Sequence, residues 1–123
     1  MTPLFPDVPY EYASVVRDGS IIFTAGACPL DADGRVQGDD HSAQARIAVA
    51  NLLSVLLQHG AGPEHLVRTT IFVVGSREDL VAAWNVIAAA LAPHRPPSTL
   101  LGVAVLGYPG QLVEIDGIAA VTA

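Results

Sequence analysis

The feature that most restricts the fold of this chain is a regular alternation near its C-terminal end. Apolar or small side chains stand at positions 113, 115, 117, 119 and 121, and residues 112, 114, 116 and 118 point the other way. A period of two is typical of a β-strand with one buried face. Such a strand needs a sheet around it and a second layer over its apolar face. The alternation therefore predicts a layered fold that contains a sheet.

Other segments supply the remaining strands. Residues 12–16 and 21–25 are apolar runs on either side of Asp18 and Gly19, a dipeptide that favours a tight hairpin. Residues 66–74 are rich in β-branched side chains and stop at Gly75. Residues 99–105 form a further run, joined to the final strand at 112–121 by a turn around residues 107–110.

Two segments show helical periodicity. In the first, apolar residues recur at positions 45, 49, 52, 53 and 56, and Gly60 stands where helices commonly end. The second begins at Ser76, whose spacing to Asp79 resembles a capping box, and ends before Pro93. The predicted order is β-β-α-β-α-β-β, an α+β fold with two helices on one face of a mixed sheet. A length of 123 residues predicts a single domain over residues 1–123.

Charge and residue types exclude several classes of function. The formal charge is −6, there is no lysine, and the arginines are scattered at positions 17, 35, 46, 68, 77 and 95. This distribution disfavours nucleic-acid binding and excludes a lysine Schiff base. Cys28 has no second cysteine to pair with, and the histidines at 41, 59, 65 and 94 lack the spacing of metal ligands. We expect no metal and no cofactor.

The apolar content indicates how the chain behaves in solution. A hydrophobic share of 51% and a mean hydropathy of +0.45 are high for so small a domain, so some apolar surface is expected to meet another copy of the chain. No run approaches the roughly 20 apolar residues that span a bilayer. The first residues lack the basic and apolar parts of a signal peptide. These features predict a cytoplasmic protein without a membrane partner.

One pair of segments carries a resemblance to a known family. Residues 95–106 read Arg-Pro-Pro-Ser-Thr-Leu-Leu-Gly-Val-Ala-Val-Leu, and residues 112–119 read Leu-Val-Glu-Ile-Asp-Gly-Ile-Ala. Together with residues 12–31, the helix signals at 43–60 and the strand at 67–72, they resemble the Rid family, also called YjgF or L-PSP. The resemblance implies a chorismate-mutase-like fold, a homotrimer, and small-molecule clefts between subunits where relatives hydrolyse enamines and imines.

The same resemblance assigns a catalytic role to Glu114. Its family counterpart lies in the cleft and is thought to hold or activate the attacking water, a task suited to a carboxylate that accepts a proton. From the sequence alone, the favoured interpretation of both Glu114 and Asp116 is a solvent-facing acid on a half-exposed strand, because charged side chains are mostly exposed. Asp116 has no family counterpart and keeps that interpretation.

The resemblance also implies a set of substrate-binding positions. Tyr12 matches a cleft-lining tyrosine, with Tyr10 as a nearby competitor, and Ala25 stands where the family has a serine that contacts the ligand. Asn85 fits a family asparagine on the second helix after a one-residue insertion. Cys28 lies in this region too, and a small buried apolar role is favoured over a nucleophile because no histidine stands at a recognisable offset.

The most informative departure from the family is a missing arginine. Relatives usually read Pro-Ala-Arg-Ser-Thr, and that arginine grips the substrate carboxylate. An ungapped match places Ser98 there, and a shift of one residue places Pro97 there, so neither alignment provides a positive charge. Ser98 and Thr99 are therefore the predicted substitutes at this position. Arg95 is a further candidate, although an arginine before two prolines is more often a solvated loop residue.

These observations leave more than one function open. The leading hypothesis is an enamine or imine hydrolase whose substrate is not 2-aminoacrylate. The alternative is a non-catalytic small-ligand binder or regulator that keeps the cleft between subunits. A ribonuclease or translation inhibitor, as older family labels suggest, is disfavoured by the acidic charge and the missing lysines.

Overall fold

The fold is a mixed β-sheet with two long helices packed on one face. The structure is a computed structural model that describes residues 1–122. The strands lie in the order β1-β4-β2-β3, with β4 antiparallel to both of its neighbours and β3 parallel to β2. The elements are β1 (Ser20–Phe23), α1 (His41–Gln58), a 3-10 turn (Pro63–His65), β2 (Leu66–Val73), α2 (Arg77–Leu91), β3 (Ser98–Gly102) and β4 (Val113–Val121). The predicted α+β class, with a mixed sheet and helices on one side, is confirmed.

The core lies between the sheet and the helices, as the alternation of the last strand predicted. In β4 the side chains of Val113, Ile115 and Ala119 are fully buried, whereas Glu114, Asp116 and Ile118, which point the other way, are half-exposed. From the other side, α1 buries its apolar positions, including Leu52 and Leu56, against this face. Burial of these aliphatic side chains supplies the main stabilising free energy of the fold.

The helix ends follow the sequence signals. Asp40 caps α1 by accepting a hydrogen bond from the Ala43 amide at 2.8 Å. Ser76 and Asp79 form a reciprocal capping box at the start of α2, as their spacing predicted. Gly60 follows the end of α1 with a φ of +78°, a left-handed conformation that favours glycine. These caps fix where each helix begins relative to the sheet.

The first strand of the expected hairpin does not form. Residues 12–16 are not a strand, and β1 pairs with β4 instead of with that segment. The N-terminal segment is held by other contacts, because the Glu11 amide donates to the Arg95 carbonyl and the Ser14 hydroxyl donates to the Val67 carbonyl. The prediction at residues 12–16 was therefore wrong, and strand-like composition did not decide the pairing. The strand expected at 99–105 also ends earlier, at Gly102.

The second face of the sheet carries no helix, and we call it the open face. Phe23 and Ile21 of β1 and Leu101 of β3 are exposed there. Between them lie polar side chains of β2, β3 and β4, with Thr70 facing both Thr99 and Asp116 across the register. Within residues 1–122, no helix is both long and apolar enough to cross a membrane.

The packing of α1 gives a direct test of this fold. Replacing the fully buried Leu52 by alanine removes apolar contacts and leaves a cavity, so we expect the free energy of unfolding to fall by about 2–5 kcal/mol. The matched control is Leu57→Ala on the same helix, because Leu57 is 76% exposed; it should change stability by no more than about 0.5 kcal/mol. Urea unfolding of both variants measures the difference, and equal effects would contradict this placement of α1.

Candidate functional site

Glu114 lies on the open face of the sheet, and its carboxylate is held by two donors. It follows Val113 in β4 and pairs with Phe72 of β2. Its Oε1 accepts a hydrogen bond from Gln111 Nε2 at 3.2 Å and another from Cys28 Sγ at 3.3 Å. Two donors on one oxygen orient the carboxylate and leave Oε2 without a protein donor among the described contacts. This arrangement leaves one carboxylate oxygen available to accept a hydrogen bond.

The loop after β1 comes to this acid through a short backbone pairing. Ala27 and Ile115 exchange hydrogen bonds, with N···O distances of 2.6 Å and 3.1 Å. The pairing places Gly26 directly against Glu114, and a Cβ atom on residue 26 would lie 2.1 Å from Oε2. A side chain at residue 26 would therefore have to displace the Glu114 carboxylate from its present position. Ala25 precedes this contact and is exposed.

Gln111 was not found by sequence reasoning, yet it is the best-fixed partner of the acid. Its side chain is 4% exposed, and its Oε1 accepts from the Tyr108 amide at 3.2 Å. Its Nε2 donates to the Val113 carbonyl as well as to Glu114. Because the amide oxygen is occupied by an N–H donor, the NH₂ group must face the carboxylate. No motif marks such a residue, since it is recognisable only by its contacts.

Cys28 acts as a thiol donor in this cluster. Burial, followed by the hydrogen bond to Glu114 and the negative charge of that acid, raises the pKa of Cys28 to about 11. The thiol therefore stays protonated at neutral pH and donates to the carboxylate. A raised pKa is the opposite of what a nucleophilic cysteine needs, which agrees with the non-nucleophilic role favoured from the sequence.

A second cluster lies at the free edge of β3, away from Glu114. There the N-terminal segment, α2 and β3 border a cavity of about 470 Å³. The rings of Tyr10 and Trp84 meet edge to face, with centroids 6.1 Å apart and planes at 85°. The cavity is lined by Pro9, Tyr10, Val81, Trp84, Ser98, Thr99 and Leu100.

The two clusters are too far apart within one chain to touch the same small ligand. Glu114 pairs with Phe72, whereas Thr99 pairs with Thr70 on the opposite side of β2. Two strand spacings across the sheet and two residues along it place the Cα atoms of Glu114 and Thr99 about 12 Å apart. A compact ligand that contacts both residues therefore needs them from different copies of the chain.

The predicted binding residues are divided between these places. Thr99 lies on the open face, where its hydroxyl accepts from Arg68 Nη2 at 3.2 Å. Ser98 points to the helix side instead, and its hydroxyl contacts the hydroxyl of Thr69 and donates to the Pro96 carbonyl. Asn85 lines a shallow groove with Arg46 on the outer side of α2, outside both clusters.

The N-terminal candidates are held by backbone contacts. Tyr12 donates its hydroxyl to the Phe5 carbonyl at 2.7 Å, and its ring meets the ring of Tyr10 at 6.0 Å. The guanidinium of Arg95 bonds the Val8 carbonyl, so in this chain it anchors the N-terminal segment and does not approach Glu114. Arg68 is a cation that sequence reasoning overlooked, and within residues 1–122 it forms no ion pair.

No group of three or more metal-ligating side chains occurs among residues 1–122. The histidines are used locally: His41 and His94 contact the carbonyls of Val74 and Leu66, and His65 contacts the Gly62 amide. The chemistry that the open face offers is that of an oriented carboxylate beside a thiol and an amide donor.

Comparison with known proteins gives a consistent picture. A family model described as endoribonuclease L-PSP matches residues 5–121. The chain is 37% identical over 114 residues to the protein DfrA of Myxococcus xanthus, covering 90% of this chain and 84% of that protein. The solved structure of the Rid-family protein YyfB from Yersinia pestis is similar with a TM-score of 0.84 and 29% identity, covering 98% and 96% of the two chains. The solved structure of Rv2704 of Mycobacterium tuberculosis, from the YjgF/YER057c/UK114 family, is similar with a TM-score of 0.73 and 34% identity. The match covers 93% of this chain and 88% of that chain.

The contact between Cys28 and Glu114 can be tested by thiol alkylation. The thiolate reacts with iodoacetamide, so the rate should stay low at neutral pH and rise with a midpoint near the pKa of about 11. Glu114→Gln removes the negative charge but keeps the burial, and we expect the midpoint to move to lower pH. Asp116→Asn removes a charge from the same face two residues away and serves as the control. Identical pH profiles for all three proteins would contradict the contact.

Proposed function

We propose that this chain, which belongs to the Rid family (endoribonuclease L-PSP), hydrolyses an imine or enamine in clefts between the copies of a homotrimer. The observation that carries the proposal is the carboxylate of Glu114, oriented by Gln111 and Cys28 with Oε2 free. The overall reaction converts C=N and water into C=O and ammonia. An enamine first takes up a proton on carbon to become the imine, and the same hydrolysis follows.

In this proposal Glu114 acts as a general base on water. Oε2 accepts a proton from a water molecule while the water oxygen forms a bond to the imine carbon and the C=N π electrons move to nitrogen. The proton then passes to that nitrogen and gives a carbinolamine. A second proton transfer, from the new hydroxyl group to the amine nitrogen by way of Glu114, lets the C–N bond break, so that ammonia leaves as the carbonyl forms. The two donors on Oε1 fix the direction of the carboxylate, which general base catalysis requires.

The homotrimer is part of the proposal because one chain does not bring the required groups together. Glu114 and Thr99 are about 12 Å apart by strand geometry, so a shared cleft needs a second copy. The exposed apolar side chains of Phe23 and Leu101 on the open face supply a surface for that contact. The choice of three copies follows the family resemblance, since the chain's own composition does not select a number.

The missing arginine restricts the substrate. Pro97 and Ser98 carry no charge, Ser98 points to the helix side, and Arg95 is bonded to the Val8 carbonyl. A guanidinium would give a carboxylate two parallel charge-assisted hydrogen bonds, and a hydroxyl gives one neutral bond. We therefore propose an imine without a carboxylate next to the reacting carbon, and not 2-aminoacrylate.

A cytoplasmic setting completes this proposal, supported by the lone unpaired thiol of Cys28, which suits a reducing compartment. A non-catalytic binder is the second candidate, favoured by the replacement of the family serine by Ala25 and by the absent arginine. Cleavage of RNA has the least support, because the formal charge is −6 and the arginines do not form a stripe.

Substitution of the acid separates an enzyme from a binder. Glu114→Gln keeps the size of the side chain and removes the base, so turnover of an amine-oxidase-generated imine should fall by about 10²–10⁴-fold. A binder would instead retain its ligand affinity with no turnover to lose. Asp116→Asn, on the same face but outside the hydrogen-bonded cluster, should keep turnover close to the wild type. The assay follows trapping of the remaining imine by semicarbazide, and equal loss in both variants would exclude Glu114 as the base.

Assembly can be tested at Phe23, which is 74% exposed on the open face. Phe23→Glu places a charge where the proposed interface is apolar, and we expect sedimentation to show single chains instead of three. Turnover should fall with the assembly although Glu114 and its partners are intact. Leu57→Glu, at an exposed position of α1, is the control and should remain assembled and active. A Phe23→Glu protein that is monomeric and fully active would show that the site is complete in one chain.

A further inference from the structure

We propose that the substrate carries an apolar substituent of aromatic size, which is bound in the cavity lined by Tyr10 and Trp84. The inference rests on the proposed hydrolase function and extends it to a class of substrate. It places the reacting carbon near Thr99, where the cavity meets the open face, and the substituent deeper, against the aromatic wall that Tyr10 and Trp84 form.

The size and walls of the cavity fit such a group. Its volume of about 470 Å³ lies in the usual range for small-molecule sites. Most of its lining side chains are apolar or aromatic, and none of them is an acid or a base. Transfer of an apolar ring from water into such a space lowers the free energy. A charged group would instead lose its hydration without gaining an ionic partner.

The aromatic wall is held in place before any ligand arrives. Trp84 is half-buried on α2 and packs against the core. Tyr10 stands edge to face against Trp84 on one side and against Tyr12 on the other, with centroid distances of 6.1 Å and 6.0 Å. Tyr12 is in turn fixed by its bond to the Phe5 carbonyl. A preorganised wall binds a flat ligand without the cost of ordering the side chains first.

The polar groups of the cavity are few, and the two hydroxyl groups on β3 are engaged. The hydroxyl of Ser98 is bonded to Thr69 and Pro96, and that of Thr99 to Arg68. The Pro97 carbonyl and the Val103 amide both bond to β2, so alternate residues of β3 face that strand. The amide and carbonyl of Leu100 therefore point to the free edge beside the cavity. They offer one neutral donor and one acceptor, which suits an uncharged imine and its ketone or aldehyde product.

Thr99 connects this cavity with the proposed chemistry. It lines the cavity and also lies on the open face, in the row of side chains that contains Thr70 and Asp116. A neighbouring copy that brings Glu114 to Thr99 would thus deliver the base to the mouth of the cavity. This continuity with the proposed interface is the reason to assign the cavity to the substrate and not to an unrelated ligand.

The chain provides its own reporter, because Trp84 is its single tryptophan. The assembled protein is titrated with benzamide, a stable neutral planar probe, and with acetamide, which lacks the ring, while Trp84 emission is recorded. We expect a saturable change with benzamide and at least about tenfold weaker binding of acetamide, since the ring supplies the apolar contact.

Two matched variants locate the response. Val81 is 50% exposed at the cavity and Leu57 is 76% exposed on α1, so a glutamate at either position should leave the fold intact. Val81→Glu should weaken benzamide binding by about tenfold, because the ring would then lie against a charge. Leu57→Glu should bind as the wild type does. Equal binding by both variants, or equal affinity for the two probes, overturns the assignment.

A turnover measurement keeps this inference separate from the proposed function. Imines made by amine oxidases from 2-phenylethylamine and from ethylamine differ in the ring and share the absence of a carboxylate. Preference for the phenyl compound, lost in Val81→Glu, supports the substrate class. Hydrolysis of both imines at equal rates overturns the proposed substrate class and leaves the hydrolase function standing.

Saturable benzamide binding without any turnover supports the cavity assignment and counts against the hydrolase function. A Trp84 signal that depends on protein concentration but not on benzamide shows that a neighbouring chain fills the cavity, which also overturns the assignment.

Discussion

The structure depends on the two unequal faces of one sheet. Alternate residues of β4 are buried under α1, and the residues between them, including Glu114, are left on the face that no helix covers. A period of two forces this division, because a shift of one residue would exchange the buried and the open sets. The same burial that fixes the register therefore also fixes the direction of the acid. Fold stability and site geometry have one cause in this chain.

Much of this was predictable because it depends on local pattern. The helices, their caps and the strands at β2 and β4 follow from periodicity, and Glu114 follows from its place in the last strand together with the family resemblance. Residues 12–16 were mispredicted because a strand-like composition does not choose a partner. The hydrogen bonds of Glu11 and Ser14 with Arg95 and Val67, far away in the sequence, decide that segment.

The fine structure of the site was not predictable for a similar reason. The Gln111 side chain contacts Glu114 and also accepts from the Tyr108 amide, and Arg68 of β2 donates to Thr99 on the neighbouring strand β3. No spacing rule links such residues before the register is known. Ser98 and Thr99 illustrate the point, since adjacent residues of one strand point to opposite faces and only Thr99 shares the face of Glu114.

In the proposed function, the absence of an arginine at Pro97 and Ser98 and the apolar cavity act in the same direction. A guanidinium at the mouth of the cavity would favour small substrates with a carboxylate and would require water or an acid to satisfy its remaining donors. With Pro97 and Ser98 in its place, and with Arg95 and Ser98 both engaged in bonds to the protein, the region between Thr99 and Trp84 carries no charge among its lining side chains. In the proposed assembly, the uncharged pocket of one copy accepts a substrate by the burial of its apolar group, and the Glu114 of a neighbouring copy acts on it as the base. Substrate specificity then comes from the shape of the cavity and from the desolvation of the substrate's apolar group. The same base, Glu114, can serve substrates with or without a carboxylate.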